Sequence, residues 1–351
     1  MRLGVFLPNW VGDVVMATPT LRALRKFVGS DGQIIGIMRP YVAEVLAGTT
    51  WLDEQVIYDK SANRFGFPSR ALYRELRSAR LDRVVLLTNS MRTAWMAWRS
   101  GATERIGFRN EARSLLLTKR IRQPRAPDGG PLPTVDGYLH LAAAAGCAPE
   151  PPRLELATTA DDERAADAVW QQLELPEGDR VVILNSGGAY GAAKQWPAEY
   201  FAELARRIVS GGVLRVLVNC GPAEREIARA IAEMANDSRV VTLADFEQLP
   251  VGLTKACIRR SRLLVSTDSG PRYFGVAFGR PVVTLFGPTD PLRTQLPYER
   301  ETSMSLSLDC QPCMERTCPL GHHRCMRELT VEMVHQAVNE LLEKDAAECA
   351  V

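Results

Sequence analysis

The sequence predicts two α/β domains, each a parallel sheet with helices on both faces. Three observations carry this. Short apolar runs such as residues 181–185, 263–266 and 282–286 have the composition of strands buried on both faces, and helical stretches alternate with them. At 351 residues the chain is more than twice the usual single-domain length. Residues 147–152 have the proline content of an interdomain linker, which divides the chain into 1–152 and 153–330. A last helix over 331–345 is expected to reach back onto the first domain.

Taken in order, residues 2–8 read as the first buried strand. Asn9-Trp10-Val11-Gly12-Asp13 then turns into a helix from Val14 to about Phe27, which Pro19 should kink or delay. Strand, glycine turn and helix open a doubly wound sheet. A single glycine is not the three-glycine dinucleotide fingerprint, so a nicotinamide enzyme is not expected. Strands follow at 33–38, 56–58 and 83–88, with helices near Ala43, Leu72 and Thr93. Residues 105–122 change texture, setting Arg105, Arg109, Arg113, Lys119, Arg120 and Arg122 against Glu111. Such a run is either a solvated face or a cradle for an anionic partner. A loop at 128–133 leads to a helix at 135–145. The second half repeats the pattern, with a helix at 163–173 and strands at 181–185, 215–219, 239–243, 263–266 and 282–286.

Basic and acidic side chains nearly balance, 43 against 41, which argues against bulk nucleic-acid binding. No apolar run approaches the ~18 residues of a membrane span. The first residues enter a strand with no leader, so the expectation is a cytoplasmic protein whose membrane contact is peripheral.

Two loops of the second half have the chemistry of a phosphate site. After the strand at 263–266, Thr267-Asp268-Ser269-Gly270-Pro271 opens a helix at the carboxyl edge of the sheet, where a helix amino terminus offers N–H groups to a diphosphate. Simple capping of that helix by Asp268 and Ser269 is the competing account. After the strand at 181–185, Ser186-Gly187-Gly188-Ala189-Tyr190-Gly191-Ala192-Ala193-Lys194 combines small residues with one cation. The matching position of the first half is Asp13, a carboxylate able to take a proton from an attacking hydroxyl, with helix capping again the alternative.

The segments at 8–13, 189–197, 267–271 and 286–291 resemble, in order, those of the ADP-heptose:lipopolysaccharide heptosyltransferases, glycosyltransferase family 9. The form Trp10-Val11-Gly12-Asp13 is more similar to the heptosyltransferase II branch than to heptosyltransferase I. The resemblance covers nearly the whole chain. It implies a GT-B fold and an inverting transfer of heptose from ADP-heptose that requires no cofactor. It also implies Asp13 as general base, Lys194 on the donor phosphate, Asp268, Ser269, Gly270 and Pro271 around the diphosphate and sugar, and Glu224 near the nucleoside. Tyr190, beside Lys194, is assigned to the donor as well. Trp10, Arg92, Arg109, Arg113 and Arg120 are assigned to a phosphorylated inner-core acceptor at the cytoplasmic face of the inner membrane. Where the family usually carries a histidine after the Asp-Ser-Gly-Pro stretch, this chain reads Arg272-Tyr273. A sugar-nucleotide epimerase and a catalytically silent carbohydrate-binding protein on the same scaffold are the alternatives.

One dense feature stands apart from this chemistry. Cys310, Cys313, Cys318 and Cys325, with His322 and His323, are close enough in sequence for a structural zinc, for free thiols packed in a loop, or for disulfides.

Overall fold

The computed structural model describes residues 1–59, 69–127, 129–188 and 190–349; Asp128 and Ala189, both read as loop, lie outside them. The chain divides into a first unit, Met1–Ala157 with Leu292–Pro297, and a second unit, Thr158–Pro291 with Tyr298–Val351. Strands of the first unit are β1 (Arg2–Phe6), β2 (Gln33–Met38), β3 (Glu54–Ile57), β4 (Arg83–Leu86), β5 (Glu104–Phe108) and β6 (Lys119–Ile121). They pair in parallel in the order β3-β2-β1-β4-β5-β6. The second unit has β7 (Val181–Asn185), β8 (Arg215–Asn219), β9 (Val240–Thr242), β10 (Leu263–Thr267), β11 (Val282–Phe286) and β12 (Glu301–Ser305). Their order is β12-β11-β10-β7-β8-β9, again all parallel.

Every residue of β7, β10 and β11 is buried, as their predominantly apolar runs require of strands covered on both faces. In each sheet the strand order reverses once, between β1 and β4 in the first and between β7 and β10 in the second. The loops leaving those strands diverge and open a crevice at the carboxyl edge. Pro19 divides the first helix: Val11–Met16 ends at Ala17, and Thr18–Val28 begins with the proline in its first turn. Among the described residues no helix is long and apolar enough to cross a membrane.

Three sequence expectations are corrected by packing. The basic stretch is not one solvated face, because it contains β5, whose Ile106, Gly107 and Phe108 are buried, and the edge strand β6. The charges hid the strands. Residues 148–157 stay with the first unit, because Arg22 on helix Thr18–Val28 bonds Glu150, Glu155 and the carbonyls of Pro151 and Arg153. The last helix, Val331–Cys349, belongs to the second unit rather than the first. It packs on helix Ala198–Ser210 and on β10 to β12, with buried Asp345 paired to Arg262 (3.1 Å) and to Arg300.

Candidate active site

The second unit's crevice is built on an ion-paired network. Lys194 lies in a short 3₁₀ turn, Ala192–Lys194, and its Nζ donates to the Asp268 carbonyl and to Asp268 Oδ2, both at 2.6 Å. Asp268 follows β10, is buried, and also accepts from Thr289 Oγ1 at 2.8 Å and Arg272 Nη1 at 3.4 Å. Burial opposes its charge, yet Lys194 and Arg272 hold the Asp268 carboxyl below the ordinary carboxylate range. The Tyr190 ring stands 4.6 Å from Nζ of Lys194 and adds a cation–π contact.

The loops that approach this pair are held tightly. Helix Gly270–Ala277 starts at Ser269, whose side chain does not cap it, and Asp268 is engaged by Lys194, Thr289 and Arg272. Ser269 Oγ instead accepts from Asn185 Nδ2 at 3.1 Å, and Asn219 Nδ2 donates to Asn185 Oδ1 at 2.8 Å, so the ends of β7, β8 and β10 are cross-linked. Gly270 and Pro271 fill the first helical turn. At Gly187 a Cβ would stand 2.2 Å from the Glu224 carboxyl carbon, so any side chain there would displace the Glu224 carboxylate. Glu224 receives a hydrogen bond from Gly221 N at 2.8 Å, which fixes it beside the loop after β7. Thus Tyr190, Lys194, Glu224, Asp268, Ser269, Gly270 and Pro271 share one strand-end edge.

Arg272 carries a role the sequence did not disclose. Instead of reaching a ligand it is buried, with Nε to Glu301 Oε1 at 2.6 Å, Nη2 to Glu301 Oε2 at 3.1 Å, and the Phe286 ring 4.9 Å away. Burial works against its charge, but Tyr273, Glu301 and Asp268 keep the guanidinium above the ordinary arginine value. Tyr273 is buried too, and its hydroxyl accepts from Arg272 at 3.3 Å. Glu301 lies on β12, a strand with no apolar signature, so the partnership could not be read from the sequence.

Residues 310–325 form a wall behind the lysine loop. Gln311 Nε2 donates to Gly287 O at 2.6 Å, Ala193 N to Arg316 O at 3.0 Å, and His323 Nε2 lies 2.8 Å from Ala193 O. Gly191, at φ +151, would place a Cβ 2.5 Å from Arg316 O. Cys310, Cys313, Cys318 and Cys325 are free thiols lining one small cavity with His322 and His323. Among the described residues no three His, Cys, Asp or Glu side chains are grouped to hold a metal ion. The zinc expectation is therefore not carried further, and no chemical step is derived through a metal.

At the reversal point of the first sheet, Trp10 is exposed at the start of helix Val11–Met16 and Asp13 is the third helical residue, half-buried. A carboxylate there meets the positive end of the helix dipole. Around it, Tyr41 donates to the Asn9 carbonyl and the Tyr58 hydroxyl lies 3.5 Å from Asn9 Oδ1. Arg92, half-buried in the first turn of helix Met91–Arg99, has a buried Nε with no hydrogen-bond partner, as does Arg39 after β2. Burial raises the Tyr58 phenol against the pull of these two cations.

The remaining acceptor candidates separate by depth. Arg109 and Arg120 are exposed, at the end of β5 and on β6. Arg113 is buried and does not present its charge to solvent: Nη2 donates to Thr88 O and Nη1 to Phe108 O, both at 2.7 Å, and burial pulls its pKa down to about 10. It ties β5 to the loop after β4. Arg109→Gln with Arg120→Gln is therefore expected to raise the acceptor KM, more at low salt than at high salt, and to spare donor affinity. Arg113→Gln should instead lower stability, by about 1–3 kcal/mol for each carbonyl left unbonded. Thermal unfolding beside steady-state kinetics checks both, and an acceptor-only effect of Arg113→Gln would reverse the assignment.

Residues 69–324 match the model of glycosyltransferase family 9 (heptosyltransferase). The chain is 27% identical over 369 residues to lipopolysaccharide heptosyltransferase 2 of Escherichia coli K12, covering 99% of this chain and 100% of that one. It is 24% identical over 359 residues to lipooligosaccharide heptosyltransferase 2 of Campylobacter jejuni, with 97% and 98% covered. The solved structure of E. coli ADP-heptose lps heptosyltransferase II matches with a TM-score of 0.78 at 23% identity, over 99% of this chain and 100% of that one. The two six-stranded parallel sheets with their helices are thus the α/β architecture of GT-B heptosyltransferase structures.

Proposed function

The chain belongs to glycosyltransferase family 9, and from that premise we propose a heptosyltransferase II-like enzyme that moves heptose from ADP-heptose onto the phosphorylated inner core of lipopolysaccharide. The observation that carries the reading is Lys194, held by Asp268 at the strand reversal of the second sheet. Two of the three ammonium donors go to Asp268, which leaves one for a donor phosphate oxygen. Lys194 and Arg272 balance Asp268 and Glu301, so the network has no excess positive charge. Diphosphate recognition then rests on directed N–H groups, from Lys194 and from the start of helix Gly270–Ala277.

In the proposed reaction Asp13 takes the proton of an acceptor hydroxyl as its oxygen attacks the anomeric carbon. The bond from that carbon to the diphosphate oxygen breaks, the configuration inverts, and ADP leaves with the electron pair. Lys194 stabilises the charge that grows on the leaving oxygen. Trp10, Arg92, Arg109 and Arg120 meet the acceptor, whose lipid anchor places the enzyme at a membrane face. Lys194→Ala is expected to weaken ADP-heptose binding and to lower turnover by about 10²–10³-fold. Calorimetric titration of the donor checks this, and an unchanged dissociation constant would remove the phosphate role.

Incubation with ADP-heptose and a deacylated inner-core acceptor tests the whole reading. The expected products are ADP and an acceptor heavier by one heptose, with the opposite anomeric configuration by NMR. Free altered sugar nucleotide without glycosylated acceptor would make the protein an epimerase. Tight donor binding with no product on any acceptor would make it a silent carbohydrate binder.

A further inference from the structure

Helix Met91–Arg99 uses its side chains in an inverted way. It turns small Ala94 and Ala97, with Thr93 and Met96, into the unit, and leaves its bulkier aromatic residues outside. Met91, Trp95 and Trp98 are 46%, 41% and 44% exposed. Their spacing of four and three residues puts them on one stripe, and the two indole rings stand 4.9 Å apart. The 3₁₀ turn Glu111–Leu116, packed on this helix, adds Leu115 at 77% exposure. Core packing does not explain a face of this kind, because removing it from the fold would leave the buried side of the helix unchanged.

The surroundings of the stripe are cationic. Residues 91–103 contain no acidic side chain, and residues 70–80 set Arg70, Arg74, Arg77 and Arg80 against Glu75 alone. Helix Arg70–Ser78 lies alongside: Arg77 Nε donates to the Arg99 carbonyl at 3.3 Å, and the Arg99 guanidinium stands 5.4 Å over the Tyr73 ring. We infer that this face of the first unit docks on a membrane surface that carries anionic lipid head groups. Tryptophan favours the boundary between head groups and acyl chains, and arginines around it are drawn to anionic lipid. A second copy of the chain seated symmetrically on the same face would set arginine against arginine, so self-association is disfavoured by charge.

The placement also suits the acceptor. Helix Met91–Arg99 begins just after β4, so the stripe starts beside Arg92 at the crevice edge and runs outward for roughly 10 Å. An acceptor anchored in the same bilayer would present its sugars to that edge. The inference thus rests on the proposed lipid-anchored acceptor, but it can fail separately.

Full-length protein is sedimented with vesicles of phosphatidylethanolamine and phosphatidylglycerol, and with vesicles of phosphatidylcholine. Binding to the anionic vesicles is expected to be stronger and salt-sensitive, and to fall about tenfold or more in W95S/W98S. R70Q/R74Q/R77Q should lose the preference for anionic over neutral vesicles, and both variants should keep transfer to a deacylated, water-soluble acceptor. Unchanged vesicle binding in W95S/W98S overturns the inference, as does a dimer in analytical ultracentrifugation that this variant dissociates. Transfer to the soluble acceptor by a wild type that ignores vesicles would sink the surface and keep the function. Vesicle binding lost in W95S/W98S, with no transfer to any acceptor, would keep the surface and sink the function.

Discussion

Asp13→Asn is expected to cut heptose transfer by about 10²–10⁴-fold, the usual cost of losing a general base, while ADP-heptose affinity stays near that of the wild type. The amide has the same shape, and it occupies the third residue of helix Val11–Met16, after Trp10 has already begun the helix without a side-chain cap. The fold of the loop should therefore survive. What is lost is a site able to take a proton. The donor residues all lie in the second unit, around Lys194 and Asp268, so their affinity has no reason to change. Single-turnover kinetics with the donor dissociation constant measured in parallel separate the two effects. Near-normal turnover in the variant would return Asp13 to a purely structural place in the helix.

The sequence disclosed most where a strand is buried on both faces. Residues 181–185, 215–219 and 282–286 coincide with β7, β8 and β11, because a short run dominated by β-branched and other apolar residues suits a strand covered on both faces. It disclosed least at sheet edges. β6 and β12 carry Lys119, Arg120, Glu301, Thr302 and Ser303 on strands with one neighbour, and nothing in such a run separates strand from loop. The site divides on the same line. Lys194 and Asp268 were legible because glycine-rich and helix-opening loops mark where a ligand can approach. Arg113 was misjudged because charge in a sequence does not report depth, and its donors meet the backbone carbonyls of Thr88 and Phe108. The pairing of Arg272 with Glu301 depends on the parallel register of β11 and β12, which only the fold supplies.

Arg272→Met is expected to be the most destabilising single change among these residues, by about 3–5 kcal/mol. Its guanidinium is the buried cation that Glu301 faces through two hydrogen bonds, and it also reaches Asp268. Methionine would leave Glu301 with the hydrogen bond from the Thr284 hydroxyl, at 2.6 Å, and without the guanidinium that opposes its charge. Arg272→Met with Glu301→Leu should recover much of the loss, since an apolar pair of similar volume removes both stranded charges. Urea unfolding of the four proteins in the cycle measures the coupling, and additive losses would mean that the two side chains are not partners. Acid provides a further reading of the network. The Asp268 carboxyl is held below its ordinary value by Lys194 and Arg272 despite burial. Its contribution is therefore complete above the unfolded pKa of about 3.9 and is lost as pH falls through the folded value. Wild-type stability should drop more steeply below about pH 4 than that of Asp268→Asn, which has no carboxyl to protonate at this position. Parallel slopes in that window would show that Asp268 is not held in its charged form by its neighbours.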